Sequence, residues 1–188
     1  MSLLTTRRAT AVRTLAGTIL TAALLAPAAT AVAATPAAHH TTAAVAAARE
    51  GSPVRTQKLA DGSTAEIYQL GDLHYLAKIV SRGEVLGDLE ANQRDAGLDA
   101  NDMFIVLTMD GQVHSWLGGG HRGPGTFHLP GGWTAKVTKI GDLRYRAQIL
   151  GNEGAVYGTL EANQHDAGLD ANGVYIVLGV DGVISAHL

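Results

Sequence analysis

The sequence contains no cysteine among its 188 residues. Small exported domains often use disulfides to compensate for a thin hydrophobic core. No such bridge can form here, so stability has to come from a core shared by several segments, from a metal or from a partner subunit. Aromatic residues are also scarce, at 5%, although the 46% hydrophobic content is typical of a globular protein.

The sequence also has fewer basic than acidic residues, with 14 Lys and Arg against 17 Asp and Glu. The formal net charge is -3 and the isoelectric point is about 6.2. Nucleic acids and anionic membrane surfaces both attract proteins through a positive field. The composition therefore argues against either as the partner of the whole chain.

The N-terminal segment has the order of regions typical of a secretory signal peptide. Arg7, Arg8 and Arg13 precede an apolar run over 15–26, and the small residues that follow end in an A-x-A site at 31–33. The run is shorter than the roughly 20 residues that cross a bilayer. We predict a signal peptide over 1–33, a secreted, extracellular protein and no membrane attachment after cleavage. The Arg7-Arg8 pair leaves Sec and Tat export both open.

The rest of the chain is built on an internal repeat. An Ala/Thr-rich disordered tether is expected over 34–55. Residues 56–117 and 127–188 then align with each other, with one extra residue near Gly154, and about half of the aligned positions are identical. A glycine-rich linker at 118–126 joins the two copies.

Each repeat has the pattern of β-structure. Apolar and polar residues alternate along 144–149 and 156–163, and the continuous apolar runs 103–107 and 174–178 predict central strands covered on both faces. We predict an all-β protein made of two five- to six-stranded antiparallel units. Since a unit of about 60 residues buries little surface alone, the two should pack as a pseudo-two-fold sandwich or barrel. Two independent units on the linker are the alternative.

The apolar pattern also predicts the register of one hairpin. A two-residue turn at Gly141-Asp142 would pair Val137 with Arg146 and mix core and solvent on one face. An odd-length loop would pair Val137 with Ala147 instead. We therefore predict a three- or five-residue loop with a bulge here, and the same at 71–73.

A polar block is the longest segment that the repeats share, and we expect it to form a loop. It reads LEANQRDAGLDAN over 89–101 and LEANQHDAGLDAN over 160–172. Its oxygen ligands suit calcium, the candidate cofactor, because hard cations take six to eight oxygens from flexible loops. The candidate metal ligands are Glu90, Asn92, Asp95, Asp99 and Asn101 in the first repeat, and Glu161, Asn163, Asp166, Asp170 and Asn172 in the second.

Other interpretations of the same block stay open. Asn and Asp satisfy turn amides, and Gly97 or Gly168 could supply a left-handed position, so the block could be purely structural. Glu90 with Asp95 could form the carboxylate pair of a small secreted hydrolase, and His165 with Asp166 a base with its orienting acid. A secreted enzyme inhibitor presenting one of the loops is a further alternative.

Two tryptophans are the remaining candidates. Trp116 and Trp133 flank the linker, and each occupies a position where the other repeat has a different residue. They could form an aromatic platform for a carbohydrate or a protein. The function that we expect is therefore a secreted, non-enzymatic binding module for an unidentified extracellular ligand, with calcium as a candidate ion.

Overall fold

The computed structural model describes residues 51–188. The predicted signal peptide and all but the last residues of the predicted tether lie outside this range. Fifteen strands and two short 3-10 turns make up the described part, which contains no α-helix. Within the same residues, no helix is long and apolar enough to cross a membrane.

The first repeat contains seven strands rather than five or six. They are β1 (Arg55–Lys58), β2 (Thr64–Gly71), β3 (His74–Ser81), β4 (Glu84–Asn92), β5 (Ala96–Asp99), β6 (Met103–Leu107) and β7 (Val113–Leu117). The predicted linker contains β8 (His121–Arg122). The second repeat contains β9 (Gly125–His128), β10 (Thr134–Gly141), β11 (Arg144–Leu150), β12 (Val156–Asn163), β13 (Ala167–Asp170), β14 (Tyr175–Leu178) and β15 (Val183–His187).

These strands form four antiparallel sheets. The orders are β1-β2-β3-β4 and β5-β6-β7 in the first repeat, and β12-β11-β10-β9 and β13-β14-β15-β8 in the second, which β8 extends from the linker. The predicted all-β antiparallel class is confirmed. The sheets do not close into a barrel, and the pseudo-two-fold sandwich stays a prediction.

Each repeat buries its own core between its two sheets. In the first repeat, Ile67 and Ile79 of the four-stranded sheet share a cluster with Ile105 of the three-stranded sheet. In the second, Val137 and Ile149 share a cluster with Ile176 in the same way. Alternation along each strand sends these side chains inward and the polar ones to solvent.

A third cluster joins the two repeats. Phe104, Val106 and Trp116 of the first repeat pack with Val177 of the second, and Tyr175 adds to the same cluster. Strands β6 and β14 are therefore covered on both faces, as their continuous apolar runs predict. The interpretation of the repeats as two independent units is wrong, because they share buried side chains.

The hairpin after β10 has the predicted register but not the predicted loop length. Val137 pairs with Ala147, and the register shifts between Lys139 and Gly141. The turn itself has only two residues, since Gly141 pairs with Arg144. The extra residue is absorbed as a bulge inside the strand, which keeps the apolar residues on the core face. The equivalent hairpin of the first repeat shifts between Gln69 and Gly71.

Candidate functional site

Much of the repeated polar block lies in strands, which corrects the prediction of a loop. Its first four residues end β4 or β12, and its AGLD segment forms β5 or β13. Ala, Gly and Asp have low β-propensity, so composition hides these short strands. They form because β5 pairs with β6 along its whole length, and β13 pairs with β14.

The two glutamates of the block face solvent and contact basic side chains. His74 Nε2 lies 2.6 Å from Glu90 Oε1. Glu161 accepts hydrogen bonds from Arg146 at 2.9 Å and from Arg144 at 3.2 Å. Those two arginines lower the pKa of the Glu161 carboxyl below its usual range. Glu161 is thus held ionised. The hydrogen-bond partners of both glutamates are basic side chains and not other candidate ligands of the block.

Two aspartates of the block join the repeats through reciprocal hydrogen bonds. Asp95 accepts from the Asp170 amide at 2.7 Å, and Asp166 accepts from the Asp99 amide at 2.8 Å. The second oxygen of each carboxylate accepts from its own repeat: Asp95 from the Met109 amide at 2.9 Å, and Asp166 from the Val180 amide at 2.8 Å. Each carboxylate therefore bridges two repeats with charge-assisted bonds, the stronger kind of hydrogen bond.

The later residues of the block shape tight turns. Asp99 accepts from the Asp102 amide at 3.1 Å, and Asp170 accepts from the Gly173 amide at 2.6 Å. Asn101 and Asn172 adopt left-handed φ values of 55° and 56°, a region that asparagine tolerates. Asn92 and Asn163 end their strands as exposed residues. The block thus satisfies its own backbone, in line with the structural interpretation.

The glycines of the block serve close packing and not a left-handed turn. Gly97 and Gly168 lie within strands and are absent from the positive-φ residues of the described range. A Cβ on Gly97 would lie 2.6 Å from the Ala167 carbonyl, and one on Gly168 would lie 2.4 Å from the Ala96 oxygen. Any side chain there would collide with backbone of the other repeat. This contact accounts for glycine at the same position in both copies.

An open pocket of about 510 Å³ lies beside the hydrogen bond between Asp166 and the Asp99 amide, at the contact of the two repeats that we call the joint. The predicted residues Asp99, Asn101 and Asp166 line it, together with Asp102, Asp181 and Arg122, which sequence reasoning missed. Burial raises the pKa of Asp99, and the negative charges of Asp166, Asp181 and Asp102 add to that rise. Arg122 pairs with Asp181 at 3.1 Å.

The described residues do not assemble the predicted calcium ligands into a metal site. No group of three or more His, Asp or Glu side chains within 51–188 is arranged to hold an ion. The aspartates accept backbone amides instead, and the glutamates lie on the outer faces of their sheets. Calcium binding therefore stays a prediction for which this geometry offers no support.

Trp116 is an interior residue. Its exposed fraction is 5%, its indole nitrogen donates to Ser185 Oγ at 2.8 Å, and its ring stacks on Phe104 and His187. The ring is thus buried among side chains of both repeats. The structure leaves no surface on Trp116 for the predicted ligand platform.

Trp133 is half-buried against the core of the second repeat and has an aromatic partner that the sequence did not reveal. Its ring centroid is 4.7 Å from that of Tyr157, with the planes tilted by 54°. Tyr157 is 46% exposed, and its hydroxyl donates to Asn172 Oδ1 at 3.3 Å. Tyr157 is the unpaired residue of a bulge, between the pairs Leu150–Val156 and Ile149–Gly158. The strand alternation alone does not place such a residue.

The geometry does not favour the alternative functions. Glu90 and Asp95, the proposed hydrolase pair, have different partners: the His74 ring for Glu90, and two backbone amides for Asp95. Both carboxylate oxygens of Asp166 accept backbone amides, those of Asp99 and Val180, and not the His165 ring. An inhibitor needs an extended, poorly self-bonded loop, whereas most of this block is paired in strands.

No protein-family model, curated protein or solved structure matches this chain.

Proposed function

We propose that this protein is an exported, non-enzymatic binding protein that recognises carbohydrate through the corner formed by Trp133 and Tyr157. The observation that carries the proposal is the tilted contact of the two rings, 4.7 Å between centroids, beside the Asn172 amide. Aromatic rings present flat apolar surface at low entropic cost, and neighbouring amides bond hydroxyl groups.

The position of the corner supports the same proposal. Gly151 packs against the Trp133 ring, where a Cβ would come within 3.2 Å, and the indole also packs against the core of the second repeat. The first repeat has Ser63 and Leu86 at the positions of Trp133 and Tyr157, and Ser63 is buried. Only the second repeat therefore carries an aromatic pair at these two positions. A rigid aromatic anchor of this kind is common at binding hot spots.

A glycan array that holds neutral and acidic oligosaccharides tests the proposal on the cleaved protein. Tyr157→Leu introduces the residue that the first repeat carries at Leu86, so the variant should fold. We expect at least about tenfold weaker binding, which corresponds to about 1.4 kcal/mol. The matched control Leu86→Ala removes an exposed residue at the equivalent position of the other repeat, 64% exposed against 46% for Tyr157, and should bind normally.

Two results would overturn the proposal. One is that no oligosaccharide on the array binds the parent protein. The other is that Tyr157→Leu and Leu86→Ala bind equally well while both keep the parent melting temperature. Mass spectrometry of the N-terminus of the protein in the culture medium tests export separately, with cleavage after Ala33 as the expected result.

A further inference from the structure

The outer face of the sheet β12-β11-β10-β9 has an excess of positive charge, and one row at its end, Thr134, Leu150 and Val156, is mainly apolar. Strand register places cross-strand partners in rows on this face. One row runs Thr126, Lys136, Gln148, Thr159, and the next runs Thr138, Arg146, Glu161. Arg144, opposite Asn163, begins a third row. Successive rows lie about 7 Å apart along the strands.

The cations of this face remain accessible. The side chains of Arg144 and Arg146 are 45% and 49% exposed, and Lys136 is exposed. Glu161 is the one acidic side chain among these rows, and it bonds one terminal nitrogen of each arginine. An arginine has five N–H donors, so each guanidinium keeps further donors for an incoming carboxylate.

The first repeat forms the same face with the opposite balance of charge. Glu66 stands at the position of Lys136, and Leu76 at that of Arg146. The outward charges of the first repeat are two lysines, Lys58 and Lys78, against three acids, Glu66, Asp88 and Glu90. The second repeat sets three cations against one acid. The basic face is therefore a property of the second repeat and not of the fold.

We propose that this face docks a carboxylated polysaccharide. Charge complementarity selects a polyanion, and hydroxyl and amide groups of Thr126, Thr138, Thr159 and Gln148 alternate with the cations at positions that suit sugar hydroxyls. Proteins that bind single-stranded nucleic acid interleave basic residues with aromatic rings for base stacking. The rows described here carry no aromatic side chain, which argues against a single-stranded nucleic acid as the polyanion. This inference goes beyond the proposed function, because the face is distinct from the Trp133–Tyr157 corner.

Affinity electrophoresis in gels that contain alginate tests the inference, with dextran as the neutral polymer. We expect alginate but not dextran to retard the protein, and the retardation should weaken as salt rises from about 50 to about 200 mM. Lys136→Glu with Arg146→Leu installs residues that the first repeat accepts at these positions. This double variant should bind alginate at least about tenfold more weakly.

The matched control is Arg82→Asn with Arg94→Glu, which changes the net charge by the same amount elsewhere. Asparagine suits the left-handed φ of 52° at Arg82. The control should bind normally. Equal loss in both double variants, no retardation by alginate, or tighter binding of a single-stranded DNA oligonucleotide would overturn the inference. Tyr157→Leu should leave alginate binding unchanged, which separates this test from that of the corner.

Discussion

Replacing Gly97 with alanine should damage the joint between the repeats more than its single methyl group suggests. The new Cβ would lie 2.6 Å from the carbonyl carbon and oxygen of Ala167 and 2.7 Å from the Gly168 nitrogen. All three are backbone atoms in β13, so no side chain can swing aside. Overpacking a rigid site typically costs about 1–3 kcal/mol. Because the contact is with backbone, we expect about 2–3 kcal/mol, or a melting temperature about 6–10 °C lower.

Gly87→Ala is the matched control, since a Cβ there meets nothing within 4 Å and Gly87 has no left-handed φ. It should be neutral or slightly stabilising, because alanine loses less backbone entropy on folding. Differential scanning fluorimetry of both variants, followed by calorimetry, measures the difference. If Gly97→Ala melts within about a degree of Gly87→Ala, the close approach of the two backbones is refuted.

Three further outcomes follow from the same joint. Asp99→Asn should stabilise the protein near pH 7, because it removes a carboxylate whose pKa is raised by burial and by neighbouring acids. The gain should be less than about 1 kcal/mol because solvent screens these charges. In urea titrations the gain should vanish as pH falls through the raised pKa of Asp99, since the carboxyl of the parent protein is then protonated as well. His114 stacks on Tyr175 with 3.5 Å between ring centroids, and burial lowers the pKa of His114 below 6.5. As pH drops, the unfolded chain takes up this proton before the folded one does, so the free energy of unfolding should fall from about pH 6.5 through the lowered pKa. His114→Gln should reduce this loss in thermal melts across that pH range. Millimolar calcium or EDTA should leave the melting temperature unchanged, because the aspartates already accept amides, whereas a rise with calcium alone would establish an ion site by mass action.

Period-two alternation and the repeat predict the class and the core of this fold. The inward positions of β10 and β11, such as Val137 and Ala147, follow from alternation, and so does the double coverage of β6 and β14. Sequence reasoning undercounts the strands, because AGLD has low β-propensity and becomes a strand only through pairing and packing.

The candidate site is less accessible to sequence reasoning. Identity between the repeats correctly singles out Asp95, Gly97 and Asp166, but identity does not say whether a segment binds a ligand or its own partner repeat. The close approach of Gly97 to the other backbone depends on tertiary geometry. The Trp133–Tyr157 pair depends on a bulge that exposes Tyr157. The presence of the same glycine-containing AGLD segment in both repeats was the available sequence signal of a symmetric contact.

The central claim is that the shared block joins the two repeats through reciprocal aspartate–amide bonds. Amide hydrogen exchange measured by NMR on Asp95→Ala tests it most directly. We expect faster exchange at the Asp170 amide, in the other repeat, and at Met109, beyond any uniform loss across the core strands. Asp166→Ala should act in mirror image, on Asp99 and Val180. Unchanged protection of Asp170 in Asp95→Ala, with Met109 alone affected, would contradict the account.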